Sequence, residues 1–252
     1  MSNWTRWAVG GVAILAAGFA PARDLWLVVA GDAPAFRAEV NFGESDHREL
    51  PLVQRLLDLN LVTETGTVPL REGNLEVQPN GERPTLLSDR FTVTGGTAVL
   101  TARYDDGYWV KTPGGYRNVS KRLYPAATDS RWTVHFAKTL LGPGANKLLI
   151  GHEFELMALD DPFALKPGQA LRVQVLLRGM PVADAEVRSE DGVRLVPAQE
   201  LRSYRTSADG IATVPIDRRG PFVLGVVFET EGLNPELAAK DQYTATLAFA
   251  LH

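Results

Sequence analysis

His47 stands in a polar run with Glu44, Asp46 and Glu49, and His152 leads into Glu153 at the start of an apolar run. Imidazole beside carboxylate is the donor set of a mixed nitrogen and oxygen site for a divalent transition metal, which makes Glu44, Asp46, His47 and His152 the candidate ligands. Each histidine also has an ordinary reading. His47 is then a solvated loop residue, His152 a hydrogen-bonded residue at a strand edge, His135 part of an apolar helical stripe and His252 a tail residue. The chain has no cysteine, which excludes a thiolate zinc site, an iron–sulfur cluster, a disulfide framework and a cysteine nucleophile together.

Signatures of catalysis are missing. There is no G-x-S-x-G elbow, no H-E-x-x-H helix and no P-loop lysine, and Gly95-Gly96 and Gly114-Gly115 lack the strand-to-helix setting of a phosphate cradle. Asp105-Asp106 and Asp160-Asp161 adjoin turn residues, where carboxylates serve as local caps. The chain is therefore expected not to be an enzyme. A net charge of −4 and a pI near 5.6, with only Arg117, Lys121 and Arg122 clustered, give no basic stripe for nucleic acid.

The elements that must position these residues are read from periodicity. Leu171, Val173, Val175 and Leu177 alternate with polar neighbours, as do Phe36, Ala38, Val40 and Phe42, which is the pattern of strands with one buried face. Arg178-Gly179 makes a tight reversal into Pro181, and Asp191-Gly192 and Asp209-Gly210 mark further turns. Leu50 to Val62 reads as a turn of helix followed by a strand. The spacing of Trp132, His135, Phe136 and Leu140 predicts a short helix, capped near Thr128 to Ser130 and stopped by Gly142-Pro143-Gly144.

Glycines and prolines scattered as single turn signals suit many short strands. The expected fold is mainly β: two packed β-sandwich domains with one or two short helices. The division falls after the Gly-Pro-Gly break, giving residues 23–146 and 147–252, the second immunoglobulin-like or transthyretin-like. Residues 1–22 have the parts of a signal peptide: Arg6, an apolar run from Trp7 to Ala20, and Ala20-Pro21-Ala22 as the cleavage pattern. The run is short for a membrane-crossing helix, so cleavage after Ala22, a periplasmic or secreted location and no stable membrane span are expected.

A set of short motifs recurs in a particular order. They are Trp26-Leu27, Asp106-Gly107-Tyr108-Trp109, Lys121, Ala137-Lys138 and Gly151-His152 with Phe154-Glu155-Leu156. Asp161-Pro162, Gly168, the run from Gly179-Met180-Pro181-Val182 to Glu186-Val187, and Thr206 with Ala208-Asp209-Gly210 complete the set. In this the chain resembles an uncharacterised bacterial periplasmic family, domain of unknown function 4198, associated with nickel and cobalt uptake. The resemblance implies an exported, non-enzymatic accessory or binding protein, with a nickel or cobalt ion and a membrane transporter component as its partners. The family pattern places His directly after the cleavage point and Gly-His after the second strand; this sequence has Arg23 and Gly43-Glu44 there, with its histidine at His47. The alternative is a structural or adhesive module that binds protein or glycan through sandwich loops or through Tyr108, Trp109 and Tyr116.

Overall fold

The computed structural model describes residues 23–31, 34–79 and 84–251. The segment expected to be a signal peptide, residues 1–22, lies outside the described residues, as does His252. Up to Leu141 the chain forms β1 (Asp24–Ala30), β2 (Arg37–Gly43), β3 (Arg48–Glu49), β4 (Leu56–Thr63), β5 (Gly66–Pro69), β6 (Glu76–Gln78), β7 (Thr85–Leu87), β8 (Ala98–Thr112), β9 (Gly115–Arg117) and β10 (Ser130–Leu141). Beyond it come β11 (Phe154–Ala158), β12 (Gln169–Leu177), β13 (Met180–Pro181), β14 (Glu186–Glu190), β15 (Arg202–Arg205), β16 (Ile211–Ile216), β17 (Gly220–Glu231) and β18 (Lys240–Leu251). Among the described residues helix is confined to short 3-10 turns, and no helix is long and apolar enough to cross a membrane.

The strands form three sheets. A five-stranded sheet runs β1-β2-β7-β6 with β3 on the flank of β2, and a four-stranded sheet runs β11-β12-β13 with β16 also on β12. Between them lies a nine-stranded sheet, β15-β14-β17-β18-β10-β8-β4-β5, with β9 on β8. One face of this long sheet packs on the four-stranded sheet through Val134, Phe136, Phe154, Val173, Leu224 and Tyr243. The opposite face packs on the five-stranded sheet through Leu25, Val40, Leu59, Leu100 and Ala137. Each fully buried aliphatic or aromatic side chain contributes about 1.5–3 kcal/mol, so these two layers hold the fold.

The fold is thus mainly β and sandwich-like, as expected, but its halves share a sheet. β10 pairs in parallel with β18, Arg131 opposite Lys240 through Thr139 opposite Ala248, so the nine-stranded sheet crosses the boundary expected at 146/147. The helix expected across Trp132 to Leu140 is instead β10. The reason is its position: Val134, Phe136 and Leu140 enter one core, Ala137 enters the other, and His135 lies against Phe42 of β2. A strand buried on both faces loses the apolar and polar alternation by which strands are recognised. Leu50 to Val62 does form a 3-10 turn, Val53–Arg55, and then β4.

β1 is an edge strand, and its outer carbonyls are capped by the sheet beneath. Thr139 Oγ1 donates to Leu27 O at 2.7 Å and Thr246 Oγ1 to Leu25 O at 2.6 Å. These bonds cover an edge that would otherwise offer backbone groups to another chain.

Candidate functional site

The loop that carries Glu44, Asp46 and His47 joins β2 to β3. Gly43 has φ 130°, and a Cβ there would lie 2.4 Å from His47 O, so only glycine fits the turn. The Glu44 N–H donates to His47 O at 2.7 Å and the His47 N–H donates to Glu44 O at 3.3 Å. Arg48 then folds back, donating to Glu44 O at 3.1 Å with its guanidinium 3.9 Å from the Trp26 ring centroid. This closure leaves the Asp46 and His47 side chains exposed and turns Glu44 partly inward. Burial raises the Glu44 pKa, and the neighbouring Asp46 and Glu49 raise it further against the pull of Arg23 and His47.

Arg23 is the centre of this face. Its Nη1 donates to Glu49 Oε2 at 3.2 Å and lies 3.9 Å from Asp106 Oδ2, and its guanidinium sits 4.4 Å from the Trp109 ring centroid. Asp106 is buried at the bend of β8. It accepts from Arg55 and from Trp109 Nε1, the latter at 2.9 Å, while Asn118 Nδ2 donates to its carbonyl at 3.0 Å. Burial raises the Asp106 pKa and the two arginines oppose that shift.

Beneath them His135 is completely buried. Its Nδ1 lies 2.7 Å from Thr244 Oγ1, its ring meets Phe42 edge-on at 5.3 Å, and its Nε2 has no hydrogen-bond partner among the described residues. Burial, with the charges of Arg23 and Arg55 adding to it, holds its pKa down to about 3. This imidazole is neutral and sealed.

His152 occupies a different place, in the linker before β11. Its ring packs 5.2 Å from Phe136, and burial together with the charges of Lys138 and Arg103 lowers its pKa to about 3. Among the described residues no three histidine, aspartate or glutamate side chains gather as a metal site. Glu44, Asp46 and His47 share a loop, therefore, but the structure does not assemble them with His152 into one coordination sphere.

Three residues of the Arg23 face escaped sequence reasoning. Asp106 reads as a turn corner because Gly107 follows it, Arg55 has no local signal, and His135 reads as one residue of a helical stripe. The motif Asp106-Gly107-Tyr108-Trp109 was the available pointer: its acid and its indole bond to each other. Of the aromatics proposed for an adhesive surface, Trp109 is covered by Arg23 and Tyr116 donates its hydroxyl to Asp129 Oδ2 at 2.7 Å.

Among solved structures the chain is similar to the titin domains Z1Z2 in complex with telethonin, at 10% identity and a TM-score of 0.17 over 91% of this chain and 93% of that one. No curated protein matches it. The match to the family described as domain of unknown function (DUF4198) covers residues 22–230, and the chain belongs to that family.

Proposed function

We propose that this chain is an exported, non-catalytic accessory or binding protein, of the kind its resemblance associates with nickel and cobalt uptake. What supports this reading is the family match over residues 22–230; in this member Arg23, the residue that follows the expected cleavage point, occupies a cation seat. Its cation rests against Glu49, Asp106 and Trp109 and near Phe42, whose ring in turn meets the buried His135 edge-on. Such an arrangement recognises positive charge by carboxylate and aromatic face together.

The donor set does not fit a resident nickel or cobalt ion. Asp106 is committed to Arg55, Trp109 and Arg23, and His135 Nε2 is sealed below the arginine layer. Divalent binding is then expected only at the exposed loop at His47, and it is expected to be weak.

Calorimetry on protein beginning at Arg23 tests this. Ni²⁺ is expected to bind no tighter than about micromolar, a scale of roughly 8 kcal/mol. Cu²⁺ is expected to bind more tightly than Ni²⁺, as for an incidental site. His47→Ala should weaken binding more than His252→Ala, and Arg23→His should strengthen it. Nanomolar Ni²⁺ binding by the unaltered protein would overturn the assignment. Export is tested separately, by N-terminal sequencing of protein from the periplasm, where Arg23 is the expected first residue.

A further inference from the structure

The nine-stranded sheet is longer than the four-stranded sheet that covers one of its faces. Over β4, β8 and the near side of β10 that face is left open, and the linker 149–153 walls it on one side. The result is a cleft of about 440 Å³, within the range of roughly 300–1,000 Å³ in which proteins hold small molecules.

Its floor is an ordered array. Asp58 and Asn60 are two apart on β4, and Arg103 and Thr101 stand opposite them on β8. Strand geometry spaces such side chains at about 6.6 Å along the strand and about 4.8 Å across it. Asp58 accepts from Arg103 Nε, which fixes the guanidinium plane. Beside the array, the half-buried Trp132 of β10 supplies aromatic surface, and it is held by donating its Nε1 to Asp105 Oδ1 at 2.9 Å. At the rim Leu57 and Leu149 are 49% and 82% exposed.

Several ligand classes fail on charge or shape. Asp58 is paired with Arg103 and Glu153 with Arg178, and His152 is uncharged, so the cleft offers no surplus cation and a phosphate or polyanion is disfavoured. Metal ligands do not converge among the described residues. A wholly apolar ligand would strip water from Asp58, Asn60 and Arg103 without replacing its bonds. An extended peptide adds to a free sheet edge, whereas the floor of this cleft is the face of β4, β8 and β10, each of them paired on both sides. What remains is a neutral ligand with many hydroxyls and one apolar face. We infer that the cleft between β4, β8, β10 and the linker 149–153 is a binding site for a short neutral saccharide, stacked on Trp132 and hydrogen-bonded by Asp58, Asn60 and Arg103. This site does not depend on the metal-uptake reading.

The test titrates the full chain with maltotriose, cellotriose and chitotriose and follows the Trp132 indole N–H by NMR. At least one trisaccharide is expected to shift it, with a Kd near about 1 mM. Asp58→Asn, which keeps side-chain shape, and Arg103→Gln, which removes the guanidinium but keeps a polar end, should each weaken that binding roughly tenfold, or about 1.4 kcal/mol. Arg172→Ala, whose partner Asp160 is outside the cleft, should leave it unchanged. If no trisaccharide shifts Trp132, or if both cleft variants bind as well as the unaltered chain, the inference fails. It fails equally if Ni²⁺ or a neutral tripeptide shifts Trp132 while the sugars do not.

Discussion

Arg23 lies over Trp109 with its guanidinium 4.4 Å from the ring centroid, and the indole beneath it donates to Asp106, the carboxylate that Arg23 also approaches. The three residues form a closed triangle in which one cation is shared by a π face and an acid. β1 is thereby tied at its start to the bend of β8.

Arg23→Ala should therefore destabilise the protein, by about 1–2 kcal/mol, since Arg55 and Trp109 still hold Asp106. Urea denaturation of the two proteins measures the difference. A stability equal to that of the unaltered protein would show that the triangle contributes nothing.

A second charge cluster joins the halves and gives stability a pH dependence. Glu190 of β14 lies 4.0 Å from Arg48, faces Asp24 of β1, and has Arg188 and Asp191 on its own strand and the following turn. Burial, with Asp24 adding to it, raises the Glu190 pKa from 4.5 to about 7 against the two arginines. A raised folded-state pKa means that the folded protein holds the proton more tightly. The stability it contributes is complete below pH 4.5 and is lost as pH rises to about 7, a change of about 3 kcal/mol. Glu190→Gln should flatten that part of the profile and leave the protein more stable than the unaltered chain at pH 8. Thermal unfolding across this window reads the effect, and an unchanged slope would refute it.

Lys138 and Glu155 form a buried ion pair at 2.6 Å between β10 and β11. Burial lowers the Lys138 pKa and the carboxylate opposes it. Lys138→Met alone strands the acid and should cost about 3–5 kcal/mol, whereas Lys138→Met with Glu155→Leu should return close to the original stability. The double-mutant cycle yields the coupling, and additive single losses would contradict it.

Gly142 and Gly144 have the same φ of 79° but different surroundings. A Cβ on Gly142 would lie 1.8 Å from Gly96 O, while nothing lies within 4 Å of one on Gly144. Gly144→Ala should cost about 1 kcal/mol for its backbone alone, and Gly142→Ala at least about 3 kcal/mol because the Gly96 turn must also move. Paired melts of the two variants decide it; equal losses would mean that the turn yields freely.

Much of the fold was legible because its outer strands have one wet face. β2 and β12 alternate cleanly, and Arg178-Gly179, with φ of 52° and 77°, makes the expected reversal that pairs Leu177 with Met180. The centre was not legible. β10 is buried on both faces, and its neighbour β18 lies 109 residues away, a distance over which no local pattern speaks. The Arg23 face was hidden for the same reason: Arg55 meets Asp106 across 51 residues, and neither has a neighbour in sequence that announces the other. His47 was visible as a residue type, but only the closed Glu44 to His47 turn shows that its side chain stands apart.

The parallel pairing of β10 with β18 also bears on the order in which the molecule can be made. Tyr243, Leu247 and Phe249 of β18 line the larger core, and β18 lies under β1 as well, through Thr246 and Leu25. A ribosome or translocation channel delivering the chain from its N-terminus releases β10 long before the strand that must lie beside it. Until then β10 has an open flank of up to nine register positions and cannot complete the layer on either side. Topology of this kind folds slowly, because a long loop must close before its contacts form. Such a chain completes its central sheet only after β18 arrives.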